Sequence, residues 1–480
     1  MSNILYITMD QLSLHALSCY ESYLSETPSI DKLAQDSVKF EKCYTACALC
    51  TPARASMLTG LYPHNHGALH NSGIMFPFSE EDIGRRLRKF TDILIKEGYN
   101  LGYQGKFHAG ISNTANDLGF SGFGPRDYGN YKESERFRPY LEALGIEEVE
   151  EIIEFYAQTD DNWIDSSGFE RGDIRATGSY FLTEETIRMI DEFTESDKPF
   201  FHWLSFWGPH APYWPHESYL EMYRAEDVRR WESFEEDWEN KPYIHQRFRE
   251  SVMGPAAHAD WDQWSTIISR YYAYTRQIDD QIGRLIDHLK DRGLYDDMTI
   301  IFTADHGDSL GIHNGVFDKG PMAFEQIYHI PMIIKLPNQK NQGTTHEGFI
   351  SLLDLAPTIS ELAGSELTGT DGKSLVEILE EPSTQGRDDY MAEFHGHRFP
   401  VGQRIIWWDR YKYVLNFADR DELYDVIADP EELVNLMRDP QFQEIKRELR
   451  ERMLKHLYDS KDNMHDQAYR MLTDPYEDQL

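Results

Sequence analysis

The chain has 480 residues, with 83 acidic against 47 basic side chains and a net charge of -36. That length supports a large core and a division into a major and a minor domain. The charge excludes nucleic acid and anionic membranes as partners and disfavours a polyanionic substrate, so a small one is expected.

The N-terminal stretch Met1 to Asp10 has no basic region followed by a long apolar one, and no apolar run reaches membrane-spanning length. Four cysteines, three of them crowded at Cys43, Cys47 and Cys50, do not form a secreted disulfide pattern. A soluble cytoplasmic protein is expected. Asn3 to Met9 is a β-rich apolar run ending at Asp10-Gln11. Side chains at the carboxyl end of such a buried strand point into the crevice where open α/β sheets bind ligands. Thr27 to Phe40 reads as a helix and then a strand that feeds the cysteine loop.

Cys50-Thr-Pro-Ala-Arg-Ala-Ser-Met-Leu-Thr-Gly60 is a loop turning into a helix, with Pro52 in the first turn. Cys50 then sits where unpaired N–H groups and the positive end of the helix dipole lower a thiol's pKa and attract an anion. Arg54, one turn in, adds a fork of donors for an oxyanion. Two readings compete here. One is transfer of a sulfuryl or phosphoryl group at Cys50. The other takes Cys43, Cys47 and Cys50 as Cys-x3-Cys-x2-Cys, the ligand spacing of a radical-SAM iron–sulfur cluster.

Beyond it, His64, His66 and His70 read as surface residues of a polar loop, and Asn71 lies within reach of the site. Glu81 to Glu97 has helical spacing, and Tyr99 to Gln104 is a strand delivering Gly105-Lys-Phe-His108, whose Lys106 and His108 share one face of an extended segment. Gly119 to Gly129 reads as a loop. Acidic helical pieces are expected from Leu141 to Tyr156 and a helix from Gly178 to Glu195. The strand Lys198 to Phe206 empties into Trp207-Gly-Pro-His-Ala-Pro212, and Tyr213 to Trp264 is rich in aromatics suited to stacking on a ring. A long helix over Ser265 to Arg292 precedes the strand Met298 to Phe302, which ends in Thr303-Ala-Asp-His-Gly-Asp308. Lys319, the strand Ile330 to Leu336 and the helix Asp354 to Leu362 follow. After about Pro382, four short strands predict a small antiparallel sheet, with His395, His397 and Arg398 at a strand end as specificity candidates. The tail from Asp459 reads as a frayed end or a dimer arm.

In this order the motifs resemble the type I sulfatases of the alkaline phosphatase superfamily. Cys50-x-Pro-x-Arg54 matches their signature, with Ala53 where serine is usual; Asp10-Gln11 and Asp305-His306 match their metal motifs in the variant of choline-sulfatase-like and phosphonate-monoester-hydrolase-like members. The resemblance implies an alkaline-phosphatase-like α/β sandwich on a large, mostly parallel sheet with a smaller C-terminal domain. The catalytic domain is expected over 1–380, with insertions at about 126–175 and 213–264, and the C-terminal one over 381–480. It also implies conversion of Cys50 to formylglycine (3-oxoalanine) by a formylglycine-generating maturation enzyme. One divalent metal is implied on Asp10, Gln11, Cys50, Asp305 and His306, with calcium first and manganese or magnesium behind it.

Residue by residue, the likeness gives Lys106 and Lys319 a grip on sulfate, with Arg54 beside them. His108 becomes the base that releases the product and His210 the partner of the leaving oxygen; Asn71, His395, His397 and Arg398 would face the substrate. The expected activity is hydrolysis of a sulfate monoester on a small molecule or short oligosaccharide, in a possible homo-oligomer. Phosphodiester or phosphonate monoester hydrolysis is the alternative, favoured by Gln11, Ala53 and His306; Lys106 and His108 favour sulfate. A radical-SAM protein would have no use for Asp10, Asp305 or Lys106.

Overall fold

Ile4–Asp10 (β1) is buried at every position, as its unbroken apolar run requires of a strand covered on both faces. The structure, a computed structural model, describes residues 2–20, 22–71, 87–110, 113–126, 129–157, 165–252 and 258–473. Nine further strands follow along the major part of the chain: β2 (Val38–Tyr44), β3 (Asn100–Gly105), β4 (Ser121–Phe123), β5 (Glu150–Ala157), β6 (Asp165–Arg171), β7 (Phe200–Pro209), β8 (Thr299–Ala304), β9 (His329–Lys335) and β10 (Thr344–Ser351).

Eight of these form one sheet in the order β10-β2-β9-β8-β1-β7-β3-β4. Only β9 runs antiparallel to its neighbours β2 and β8. β8, β1, β7 and β3 are adjacent and parallel, so their carboxyl ends lie along one edge. That edge receives Asp10 from β1, Lys106 and His108 from beyond β3, His210 from beyond β7 and Asp305-His306 from beyond β8. Chain order along the sequence becomes proximity because parallel strands all point their ends the same way.

The helix Trp261–Asp291 packs its buried Ile268, Tyr271, Ile278 and Leu285 toward the sheet. Its start is fixed by a capping box in which Asp260 and Gln263 exchange side-chain and backbone bonds. Partway along, Asp279 accepts from the N–H groups of Ser29 and Ile30 at 3.1 and 2.8 Å. The helix Pro28–Gln35 is thus capped by its neighbour, since Thr27 makes no side-chain cap bond.

A second sheet of four antiparallel strands closes the chain: β11 (Asp389–Phe394), β12 (Gln403–Trp408), β13 (Tyr411–Asn416) and β14 (Glu422–Asp425). The helix Gln443–Asp459 covers β12 and β13. No described helix is long and apolar enough to cross a membrane.

Three sequence expectations are corrected, and one strand carries no sequence signal. The acidic stretch up to Tyr156 is helical only over Phe137–Leu144; Glu150 onward is β5, paired with β6, because Ile152, Ile153, Phe155 and Tyr156 suit a strand better than their acidic neighbours suit a helix. The glycine-rich stretch 119–129 contributes the edge strand β4. β10 has no apolar run to announce it (Thr344-Thr-His-Glu-Gly-Phe-Ile-Ser351). The segment after Asp459 is not frayed through 473: Asp462 is buried, and the helix His465–Leu472 buries Ala468 and Leu472. The helix expected over 81–97 lies partly outside the described residues; its described part is Phe90–Lys96.

Candidate active site

The helix Cys50–Thr59 starts at Cys50 itself and is buried along its whole length. Leu49 before it offers no cap, and the Thr51 N–H donates instead to Asn71 Oδ1 at 3.1 Å. Cys50 Sγ lies 3.3 Å from His306 Nε2 and 3.5 Å from Lys106 Nζ, with the His108 ring also engaging it. Burial pushes this thiol up, but Lys106, Lys319 and His306 outweigh burial and hold it well below the ordinary thiol range.

Arg54 is 1% exposed and spends itself on the protein. Its Nε donates to Asp305 Oδ2 at 2.9 Å, Nη2 to Asp10 Oδ2 at 2.7 Å, and Nη1 to the Lys106 carbonyl and Ser205 Oγ at 2.7 and 2.9 Å. Lys106 Nζ completes Asp10 Oδ2 at 2.7 Å. Burial and the nearby Cys50 raise the Asp10 carboxyl, yet Lys106 and Arg54 outweigh them and keep it below the usual carboxylate range. Asp305, buried against Asp10, is pushed up.

Asp10, Cys50, Asp305 and His306 each present a ligand atom, all within 4.8 Å of one another and all buried. Asp10 Oδ1 has no hydrogen-bond partner there, a costly state for a buried carboxylate oxygen unless a cation meets it. His306 Nδ1 faces the Gly307 carbonyl at 2.9 Å, which turns Nε2 inward as metal-ligating imidazoles are turned. The residues therefore fit a divalent ion. Cys43 and Cys47 are buried outside this group, and burial raises both thiols, so among the described residues the three cysteines do not gather round one point.

Gln11 faces elsewhere: its Nε2 donates to Asp308 Oδ2 at 2.5 Å and its Oε1 accepts from Lys319 Nζ at 2.6 Å. Lys319 Nζ also meets Asp318 Oδ1 at 2.8 Å and lies 3.4 Å from His210 Nε2. Burial lowers this amine, but Asp318 and Cys50 raise it further, so it stays charged. His210 Nδ1 donates to the Ala211 carbonyl at 2.6 Å, leaving Nε2 4.0 Å from Asp10 Oδ1.

A cavity of about 290 Å³ opens from this cluster, lined by Asn71, His210, Lys319, His397 and Arg398 on the polar side and by Tyr131, Glu170, Trp207, Trp214 and Tyr274 elsewhere. His395 is not part of it; its Nε2 lies 3.0 Å from Glu393 Oε1. The loop histidines are not surface residues. His66 is buried beside Ser56, His64 Nδ1 pairs with Glu393 Oε2 at 2.6 Å, and His70 meets the Gly396 carbonyl at 2.9 Å. Sequence reasoning left unassigned Ser205, Asp308, Tyr213 and Glu170. Only Asp308 had a signal, its place at the end of the β8 motif; Tyr213 donates to it at 2.5 Å.

Comparison with known proteins gives one family over most of the chain. The sulfatase family model matches residues 2–365, and one for the C-terminal region of N-sulphoglucosamine sulphohydrolase matches residues 311–459. An uncharacterised sulfatase of Escherichia coli is 27% identical, over 95% of this chain and 87% of its own length. A multifunctional alkaline phosphatase superfamily protein of Trinickia caryophylli is 28% identical, over 94% of each. The crystal structure of the phosphonate monoester hydrolase of Agrobacterium radiobacter superposes with a TM-score of 0.78 at 24% identity, over 96% of both chains, a likeness of fold.

Proposed function

This chain belongs to the sulfatase family, and from that premise we propose that it hydrolyses the sulfate monoester of a small alcohol at position 50, beside a divalent ion. The observation that carries the reading is the convergence of Lys106, His108, His306 and the two buried aspartates on one sulfur atom at a sheet edge.

Asp10, Asp305, His306 and position 50 would hold a divalent ion, which would supply charge to polarise the sulfate, and oxidation of Cys50 to 3-oxoalanine would supply a hydrated aldehyde with a hydroxyl as nucleophile. The two carboxylates suit calcium; the His306 nitrogen moves the preference toward manganese. Lys106 and Lys319 offset the charge that develops as the ester bond breaks. His210, its Nδ1 hydrogen committed to Ala211, turns Nε2 toward the departing alcohol, with Lys319 Nζ beside it to provide the proton. His108, against position 50, takes the proton there when sulfate is released. Arg54 acts through others by fixing both aspartates.

The test is an activity screen of matured protein on aryl sulfate beside aryl phosphodiester, with mass spectrometry of position 50. We expect sulfate to be preferred, chelation to remove the rate, and Cys50→Ala to lower kcat/KM by about 1,000-fold or more. An unmodified thiol in fully active enzyme, or most of the rate surviving in Cys50→Ala, overturns the proposal. A phosphodiester preference would support the second reading, which Gln11, His306 and the fold likeness to the phosphonate hydrolase favour.

A further inference from the structure

Gln11 stands between the buried aspartates and Lys319, and its conformation is imposed from outside. Its backbone is left-handed, at φ 59°, a state that a residue with a side chain keeps only where its neighbours hold it. Here the Gln11 N–H donates to Asp305 Oδ1 at 3.0 Å, and the Tyr271 hydroxyl donates to the Gln11 carbonyl at 2.7 Å.

The side-chain amide is held at both ends, and donor counting fixes which end faces which. An ammonium has hydrogens and no lone pair, so the Gln11 atom 2.6 Å from Lys319 Nζ is the amide oxygen. The amide nitrogen is thereby turned to Asp308 Oδ2, to which it donates at 2.5 Å. Asp308 is fixed in its turn. The Tyr213 hydroxyl donates to the same Oδ2 at 2.5 Å, and the Leu310 N–H donates to Oδ1 at 2.9 Å. Asp308 and Tyr213 are both fully buried, with the Tyr213 ring edge-on to Tyr271 at 5.3 Å between centroids.

Lys319 receives the result. Its three hydrogens face three acceptors: Gln11 Oε1, Asp318 Oδ1 at 2.8 Å and His210 Nε2 at 3.4 Å. The His210 nitrogen accepts because Nδ1 carries the hydrogen donated to Ala211. A lysine swings freely on its four-carbon stem, and two acceptors would leave that swing open. A reversed Gln11 amide would do more harm, setting NH2 against ammonium and driving Nζ away. Asp308 prevents the reversal, since its oxygen accepts from the nitrogen end.

We infer, resting on the sulfatase reading of this site, that Asp308 and Tyr213 are positioning residues for departure of the alcohol. They lock the Gln11 amide with its oxygen inward, and that oxygen holds Lys319 Nζ beside His210 Nε2. As the S–O bond breaks, its electron pair passes to the alcohol oxygen, Nζ gives that oxygen a proton, and the neutral amine regains one from water.

The test compares matured enzyme on 4-nitrophenyl sulfate and phenyl sulfate. The nitrophenolate leaves without a proton and the phenolate does not, so a misplaced Lys319 slows the phenyl ester far more. In Asp308→Asn the Leu310 N–H keeps the amide oxygen, so NH2 is presented to Gln11 and the reversal is favoured. The kcat/KM ratio of nitrophenyl to phenyl ester should rise about fivefold or more in this variant, with affinity for calcium and manganese, measured by calorimetry, staying within about threefold. Tyr213→Phe should move the ratio the same way by a smaller factor. Equal slowing of both esters, or a smaller rise in Asp308→Asn, marks a merely structural role and overturns the proposal. A larger loss of ion affinity also overturns it, by assigning the Gln11 oxygen to the ion. Should Asp308→Asn not fold, Tyr213→Phe decides by whether its ratio rises. If matured wild type hydrolyses neither ester, the sulfatase reading fails separately, and crystal structures judge the positioning: Lys319 Nζ should lie farther from His210 Nε2 in Tyr213→Phe than in wild type, and an unmoved Nζ overturns it.

Discussion

Arg54 spends four of its five N–H groups on Asp305, Asp10, the Lys106 carbonyl and Ser205. Two buried carboxylates a few ångströms apart repel each other, and a planar fork can hold both where a single ammonium cannot. Arg54→Lys should therefore weaken divalent-ion binding, measured by calorimetry, by about 10–100-fold, with kcat/KM falling alongside it; unchanged affinity would mean the aspartates hold themselves in place. The residue types at this site were readable in the sequence, since carboxylates, lysine and histidine at strand ends have few purely structural uses. Their backbone state was not. Gln11, His108, Asp318 and Arg398 all adopt positive φ, at 59°, 40°, 65° and 60°. That left-handed region is strained for residues with a side chain, and its clustering at a functional site depends on surrounding contacts that no local pattern encodes. Glu170 was illegible for a related reason: one glutamate in an acidic stretch looks like its neighbours until the fold buries it.

The strand pair β3–β7 sets the position of Lys106 and His108, and it works because of one glycine. Gly105 pairs with Ser205 at φ 110°, and a Cβ there would lie 1.9 Å from the Ser205 carbonyl oxygen. Nothing but hydrogen fits in that gap. Gly105→Ala should destabilise the fold by about 2–4 kcal/mol in denaturant titration and displace Lys106, so that any folded fraction loses sulfate turnover; wild-type stability would show that the strands can part without cost. The strands bearing the motifs, β1, β3, β7 and β8, were legible from long apolar runs that end in polar residues. β5 and β10 were not. Polar residues run together in both, as Glu150-Glu151 and as Thr344-Thr-His-Glu347, which breaks the period-2 signal, and their strand character comes from the partners β6 and β2 rather than from local hydrophobicity.

At the scale of the whole molecule, the small C-terminal sheet is fastened to the main body through buried charges near the signature helix. Glu393 on β11 pairs with His64, while Arg404 on β12 pairs with Asp462 at 2.5 Å and lies 3.9 Å from Glu393. Burial lowers the His64 imidazole, but Glu393 outweighs burial and raises it to about 9 from an ordinary 6.5. A raised histidine stabilises the fold fully below pH 6.5 and loses that contribution as pH climbs through 9. The difference in melting temperature between wild type and His64→Gln should thus shrink steadily across that window; a constant difference would mean the pair does not titrate there.

The same fastening bears on when position 50 can be altered. The Cys50 side chain has no exposed surface, and the Glu393 N–H bonds to the Ala46 carbonyl at 2.9 Å, so a strand translated hundreds of residues later helps to seal the loop. Between the emergence of Cys50 and that of Glu393, the ribosome needs roughly 20–70 s at about 5–20 residues per second. An enzyme that oxidised this cysteine, as the proposed mechanism requires, would have to meet it as an extended nascent peptide during that interval, or wait on rare unfolding afterwards. Maturation would then be a race against the chain's own completion, and faster translation would leave more thiol behind.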